Sequence, residues 1–310
     1  MSGDTAPARA LRVIVVGGAG FIGSHLVDRL LAEGHTVDVV DDLSTGSLAN
    51  LANARSLGGD LKIHHLDACA TEFVSLVAMR EPDVVYHLGW LPPGHHDPAT
   101  LARSVQSTLN VLEAARLHGV SKVVTALPAG SLYGDVPSRE QPVKEGRAWS
   151  PVGAVGVISH AVAELLAVYR QQHAVEFSAL ALTSVYGARQ RVDGGVIAAF
   201  FAARAAAVAP VFVGDGRQAR DFLFIDDAVD AFVRAARRGS GLVVNVGTGV
   251  STSIRDVWLA IAGPDAASPR MVPVGPEHLA RVAVAPTRAR IHLAWAPWTT
   301  LDAGLRSMDR

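Results

Sequence analysis

The run LRVIVVGGAGFIG, residues 11–23, constrains the fold more than any other part of the chain. A β-branched stretch ends in Gly17, Gly18, Gly20 and Gly23, and an apolar helical pattern follows over 21–33. Glycines so placed allow a tight turn, close approach of backbone to a pyrophosphate, and close packing of helix on strand. The helix start then points its unpaired N–H groups at phosphate oxygens. A second strand, TVDVVD, ends at Asp41, 21 residues after Gly20. A carboxylate there accepts both ribose hydroxyls and repels a 2′-phosphate, so the unit predicts a dinucleotide site that prefers NAD to NADP. Asp67, in HHLDA after a third apolar stretch, is placed to accept from the adenine amino group. His64 and His65 beside it read as strand-edge residues.

The rhythm continues beyond this unit. Apolar runs at 11–16, 36–41, 83–88 and 121–126 alternate with helical patterns, one of them near 98–118. Continuous apolar strands separated by helices predict an α/β fold, a Rossmann-type doubly wound parallel sheet buried on both faces. Beyond about residue 180 the spacing loosens into loops such as GDGRQ, GTGVSTS and GPDAASP. Residues 1–180 therefore read as mainly the dinucleotide-binding domain, and 181–310 as mainly a smaller substrate lobe interleaved with it. The apolar segment 196–213 is interrupted by Arg204 and Pro210, which favours a buried helix running into a strand over a membrane span.

Composition removes several classes of function. A net charge of −1 gives no footprint for nucleic acid or an anionic membrane. Cys69 is the only cysteine, which excludes an internal disulfide and a thiolate metal cluster. No carboxylate pattern suggests any other metal site, and MSGDTAPARA lacks the apolar core of a signal peptide. A cytoplasmic protein is expected.

The motifs together resemble the extended short-chain dehydrogenase/reductase family, the nucleotide-sugar epimerases and dehydratases. They include VVGGAGFIGSHLVDRLLAEGHTV, VVDDLSTG, DVVYHLG, TLNVLEAARLHGVSKVV, SVYGARQ and VFVGDGRQARDFLFIDDAVDAF. The resemblance implies NAD as cofactor, a nucleoside diphosphate sugar as substrate, and a homodimer. It places Gly17, Gly20, Phe21, Ile22 and Gly23 at the pyrophosphate, Asp41 and Asp42 at the adenosine ribose, and Asp67 at adenine. Leu88, Gly89 and Trp90 fall on the segment under the cofactor. In the substrate lobe, Arg220 matches the arginine that grips the diphosphate, with Arg281 as a second and Phe212 near the base. An arginine suits that task because its fork of donors stays charged and binds oxygens in pairs.

The family's proton-handling groups do not follow. A Ser or Thr, a Tyr and, four residues on, a Lys are expected. The serine position, four before Tyr133, is Ala129, with Ser131 two residues further. Anchored on Ser150-Pro151, the Tyr and Lys positions fall on Val152 and Gly156; anchored on 160–164, they fall on Gly156 and His160. The registers differ by four residues, about one helical turn. The supporting Asn positions hold Ser104 and, in the substrate lobe, Ser184. Remaining candidates for proton transfer are His160, Tyr133, Ser131 and the loop pair His95 and His96. Gly130-Ser131 stands where dehydratases carry Asp-Glu, which argues against ordinary 4,6-dehydration. Three expectations follow: a sugar-nucleotide enzyme with an atypical active site, a catalytically silent protein that binds NAD and a sugar nucleotide, or a tailoring enzyme with another substrate.

Overall fold

The computed structural model describes residues 9–89, 97–263, 267–275 and 279–309. Trp90, His95 and His96 lie outside them.

Six strands appear in chain order: β1 Arg12–Val16, β2 Thr36–Asp41, β3 Leu61–His65, β4 Val84–His87, β5 Lys122–Pro128 and β6 Glu176–Leu182. The strand Leu242–Val246 joins them in one parallel sheet, in the order 242–246, β6, β5, β4, β1, β2, β3. Strand order reverses beside β1, and ligands of such sheets bind at the carboxyl ends of the strands next to that reversal. The seventh strand comes from beyond residue 180, so the halves of the chain interleave.

Between the strands run α1 Phe21–Ala32, α2 Ala52–Ser56, α3 Thr71–Arg80, α4 Pro98–His118, α5 Ala129–Tyr133 and α6 Gly153–His173. Helix α4 starts sharply because the Asp97 side chain accepts from the Ala99 and Thr100 N–H groups and Pro98 occupies the first turn. One apolar core, including Leu26, Val27, Leu30 and Phe232, lies under α1 and the helix Ile225–Ala235. A second, including Phe73, Leu112, Val162 and Leu166, lies under α3, α4 and α6 on the other face. Each fully buried Leu or Phe contributes roughly 1.5–3 kcal/mol relative to exposure. Helix α6 is long and apolar enough to cross a membrane by length and composition, yet Val155, Val162, Leu166 and Tyr169 are buried. His64 and His65 sit in β3 at the sheet edge, where His64 Nε2 lies 2.7 Å from an Asp38 carboxylate oxygen.

The chain beyond residue 180 has its own core, which includes Tyr186, Ile197, Phe200, Phe212, Phe222, Ile254, Val257 and Trp258. Segment 196–213 forms the helix Val196–Ala205 and, past Pro210, the strand Val211–Val213.

Candidate active site

At the carboxyl ends of β1, β2 and β4 lies a cleft of about 760 Å³. Gly17, Gly20, Phe21, Ile22, Gly23, Asp41, Asp42, Asp67, Leu88 and Gly89 all line it. Its shape depends on backbone packed closer than side chains allow. A Cβ on Gly17 falls 2.6 Å from the Gly89 nitrogen, and one on Gly23 falls 2.1 Å from the Gly17 carbonyl oxygen. The turn therefore hugs the β4 exit, and the first N–H groups of α1 face open space. This is a cradle fitted to a dinucleotide pyrophosphate.

Asp41 has a second task. Its Oδ2 accepts from the Ala19 N–H and its Oδ1 from the Leu43 N–H, each at 2.8 Å, so it locks the glycine turn to the end of β2. Burial pushes its carboxyl upward against those two bonds. Each oxygen keeps a lone pair able to accept a further hydrogen bond. At the far end, Asp67 accepts from the Cys69 N–H at 2.8 Å and from Arg103 Nη2 at 2.8 Å. Burial raises the Asp67 carboxyl, but these two donors outweigh it and hold it below the usual carboxylate range. Thr100, Arg103, Ser104 and Ser107 on one face of α4 complete the wall.

A second cavity of about 740 Å³ opens beyond the first and shares Phe21, Ile22, Leu88, Ala126, Gln190 and Gly194 with it. Arg220 and Ser184 line this cavity. The Arg220 guanidinium donates to the Ala219 carbonyl at 2.9 Å and is paired with no carboxylate among the described residues. Desolvation lowers its affinity for its proton, the mark of a cation lacking a counter-charge. The next residue, Asp221, turns the other way and is fully buried. It accepts from the N–H groups of Thr248 and Gly249 at 2.9 Å, fixing the strand that presents Arg220 against its neighbours. Sequence reasoning missed Asp221; its place in RDF, one residue from a cavity-facing arginine, is the available signal.

Two expected residues do not face the cavity. Phe212 is buried against Phe200, ring centroids 5.5 Å apart, while its neighbours Val211 and Val213 line the wall. Arg281 is exposed, whereas Val282 lines the cavity in register with Arg220. Both placements have one cause: adjacent residues of a strand point to opposite faces, so the residue next to each one lines the cavity instead.

Where the cavities meet, α5 carries Ser131 into the second one. The Ser131 carbonyl accepts from the Val152 N–H at 2.9 Å, docking the start of α6 on this turn. A Cβ on Gly156 falls 2.4 Å from that same carbonyl oxygen. Val152 is half-buried, and neither it, Gly156 nor His160 lines either cavity. His160 instead meets the Trp149 ring edge-on at 5.1 Å and approaches Glu164 at 3.5 Å. Tyr133 is buried, donates to Asn245 Oδ1 at 2.9 Å, and lines neither cavity; burial pushes its hydroxyl up to about 12. Ala129 is fully buried. Of the three proton-transfer candidates within the described residues, only Ser131 reaches the site. The titratable side chains lining the second cavity are Arg220 and Tyr186, whose hydroxyl burial pushes upward. Among the described residues, no group of three or more His, Cys, Asp or Glu is placed to hold a metal ion.

The profile described as NAD dependent epimerase/dehydratase family matches residues 13–247. The chain belongs to this family. It is 39% identical to a UDP-glucose 4-epimerase of Mycolicibacterium smegmatis over 306 residues, 95% of this chain and 96% of that protein. It is 35% identical to UDP-glucuronic acid decarboxylase 2 of Arabidopsis thaliana over 237 residues, 73% of this chain and 51% of that protein. In structure it resembles the UDP-glucose 4-epimerase of Thermotoga maritima solved with UDP-glucose, with a TM-score of 0.87, 27% identity, and 96% and 97% of the two chains covered. The Thermus thermophilus UDP-glucose 4-epimerase complex with NAD gives a TM-score of 0.85 and 30% identity over the same shares. NAD is thus the family's cofactor, and the glycine cradle and the Asp41 carboxylate fit it.

Membership sharpens the meaning of the α6 geometry. The register that puts the family tyrosine on Gly156 leaves no room for any side chain there. In the other, the tyrosine position is Val152 at the N-cap of α6, and the lysine position is again Gly156. In either register, backbone of α5 and α6 is packed together at Gly156.

Proposed function

We propose that the protein is an NAD-dependent enzyme acting on a nucleoside diphosphate sugar, with the dinucleotide in the first cleft and the sugar nucleotide in the second. The carrying observation is Arg220, a mostly buried guanidinium that faces a cavity continuous with the glycine-turn cleft and has no carboxylate partner among the described residues. When bound, NAD supplies a hydride acceptor and donor. The chain's own residues bind and orient. The start of α1 meets the pyrophosphate, Asp41 and Asp42 hold the ribose, and Asp67 accepts from adenine. Arg220 grips the substrate diphosphate. Leu88, Ala126 and Pro128 give the junction apolar walls, which strengthens polar contacts made there.

Ser131 and Ser184 hydrogen-bond the sugar, and Ser131 relays the proton of a ring hydroxyl, accepting it while its own hydroxyl proton passes to solvent water. Without a tyrosinate beside it, turnover is slow, because positioned general acid–base groups contribute ~10²–10⁴ in rate. The lack of a neutral-range titrating group among the described lining residues also favours a second reading, a silent protein that binds both ligands. Incubating NAD-loaded protein with UDP-glucose and following UDP-galactose by proton NMR separates the readings. Slow turnover that Ser131→Ala abolishes supports the enzyme, and binding without turnover supports the silent protein. Rapid turnover that survives Ser131→Ala contradicts both. The same reading places the protein in the cytoplasm as a homodimer.

A further inference from the structure

Four carboxylates line the first cleft: Asp41, Asp42 and Asp67 past the ends of β2 and β3, and Asp97 at the start of α4. Arg103 is the cation among them. Its Nη2 donates to Asp67 Oδ2 at 2.8 Å and to Asp42 Oδ2 at 3.3 Å, so one guanidinium spans from α4 to the ends of both β2 and β3. The other cations lining the cleft are committed elsewhere: Arg189 pairs with Asp28 at 2.6 Å and Arg191 with Asp193 at 2.8 Å.

The loop Asp67–Cys69 is tied to α4 at further points. Gln106 donates to the Cys69 carbonyl at 3.4 Å and Asn110 to the Ala68 carbonyl at 3.0 Å. Gln106 and Asn110 themselves do not line the cleft, whereas Ala68, Cys69 and Arg103 do. Each Asp67 oxygen already accepts one bond, Oδ1 from the Cys69 N–H and Oδ2 from Arg103. That fixes the carboxylate plane and leaves one lone pair on each oxygen for an incoming amino group. The guanidinium itself is flat and weakly hydrated, and it presents a face suited to an aromatic ring.

We propose that Arg103 is a positioning residue for the adenosine half of NAD, clasping Asp67 and Asp42 across the cleft mouth so that Asp67 is oriented to accept from adenine. The proposal rests on the assignment of NAD to this cleft. The clasp works on the half of the dinucleotide remote from the chemistry, so it sets how tightly the cofactor is held. Arg103→Lys keeps the charge but loses the flat guanidinium, which sets Nη2 between the two carboxylates and offers a face to an aromatic ring.

Calorimetric titration of NAD, ADP-ribose and NADP into apoprotein tests this, using unmodified protein, Arg103→Ala, Arg103→Lys and Asn110→Ala. Arg103→Ala weakens NAD and ADP-ribose alike, by about tenfold, the worth of one Asp67–adenine hydrogen bond whose acceptor is no longer held in place. Arg103→Lys recovers only part of that affinity. Asn110→Ala lowers the melting temperature of the apoprotein and leaves NAD affinity unchanged, which separates a clasp from simple stitching of helix to loop. Unchanged NAD affinity in Arg103→Ala overturns the proposal. So does a loss confined to NADP, which makes Arg103 a receptor for a 2′-phosphate. If the unmodified protein binds neither NAD nor ADP-ribose, the cleft assignment itself fails.

Discussion

Gly156→Ala reverses the usual sign of a helix substitution. In an exposed helix interior this change stabilises by about 1 kcal/mol, because alanine loses less backbone freedom on folding. Here the new methyl carbon lands 2.4 Å from the Ser131 carbonyl oxygen and 3.1 Å from its carbonyl carbon. Ordinary contact needs the helix and the turn to separate by about 1 Å. Neither side is a flexible side chain, and the Val152 N–H bond to Ser131, at 2.9 Å, holds them together. Overpacking of this kind costs roughly 1–3 kcal/mol, and weakening the hydrogen bond adds ~0.5–1.5 kcal/mol. The balance is a loss of roughly 0.5–3.5 kcal/mol. Urea unfolding followed by circular dichroism and tryptophan fluorescence measures it. Because Ser131 moves with the turn, sugar-nucleotide affinity falls as well. Stabilisation by the ordinary amount refutes the packing argument. For the same reason Gly156→Tyr with His160→Lys, which restores a Tyr–Lys pair four residues apart, yields a destabilised protein rather than a revived one.

Two further outcomes follow from the cleft and the core. Asp41→Asn weakens NAD binding and narrows the preference over NADP, measured by parallel titrations of the two cofactors; NADP binding as tight as NAD by the unmodified protein contradicts the role of Asp41. His87 is completely buried, with Nε2 3.2 Å from Thr108 Oγ1 and Nδ1 without a partner among the described residues, and desolvation pushes its pKa down from 6.5 to about 3. The unfolded chain therefore takes up a proton that the folded ring refuses. Stability is full above about pH 6.5 and falls as pH drops toward about 3, and urea unfolding of His87→Asn shows a shallower fall over that range.

The cofactor half was legible in the sequence because its demands fall on backbone and strand ends. Gly17, Gly20, Gly23 and Asp41 are fixed in number and spacing by one turn, and all four line the cleft. The strands at 36–41 and 83–88 announced themselves as buried apolar runs. The walls of the second cavity were harder to read because the strands that carry Val211, Arg220 and Val282 are two or three residues long, too short to show a period. Phe212 and Arg281 each lie one position from a cavity-lining residue for that reason, while Arg220, carried by the longer pattern RQARDF, lines the cavity itself. The packing of Gly156 on Ser131 was out of reach, since it joins residues 25 apart through a contact made by backbone alone. Arg103 reads in sequence as an ordinary helix charge, and only the fold brings Asp42 and Asp67 within its reach.

The pairing of a dinucleotide cleft with a sugar-nucleotide cavity is tested most directly by titrating UDP-glucose into NAD-loaded protein and into its Arg220→Ala variant. Saturable binding by the unmodified protein is predicted. The variant loses a charged, paired contact of ~1.5–3 kcal/mol, a roughly ten- to hundredfold weaker affinity, with NAD binding unaltered. Equal affinity in the two proteins, or no binding by either, contradicts the assignment of the second cavity.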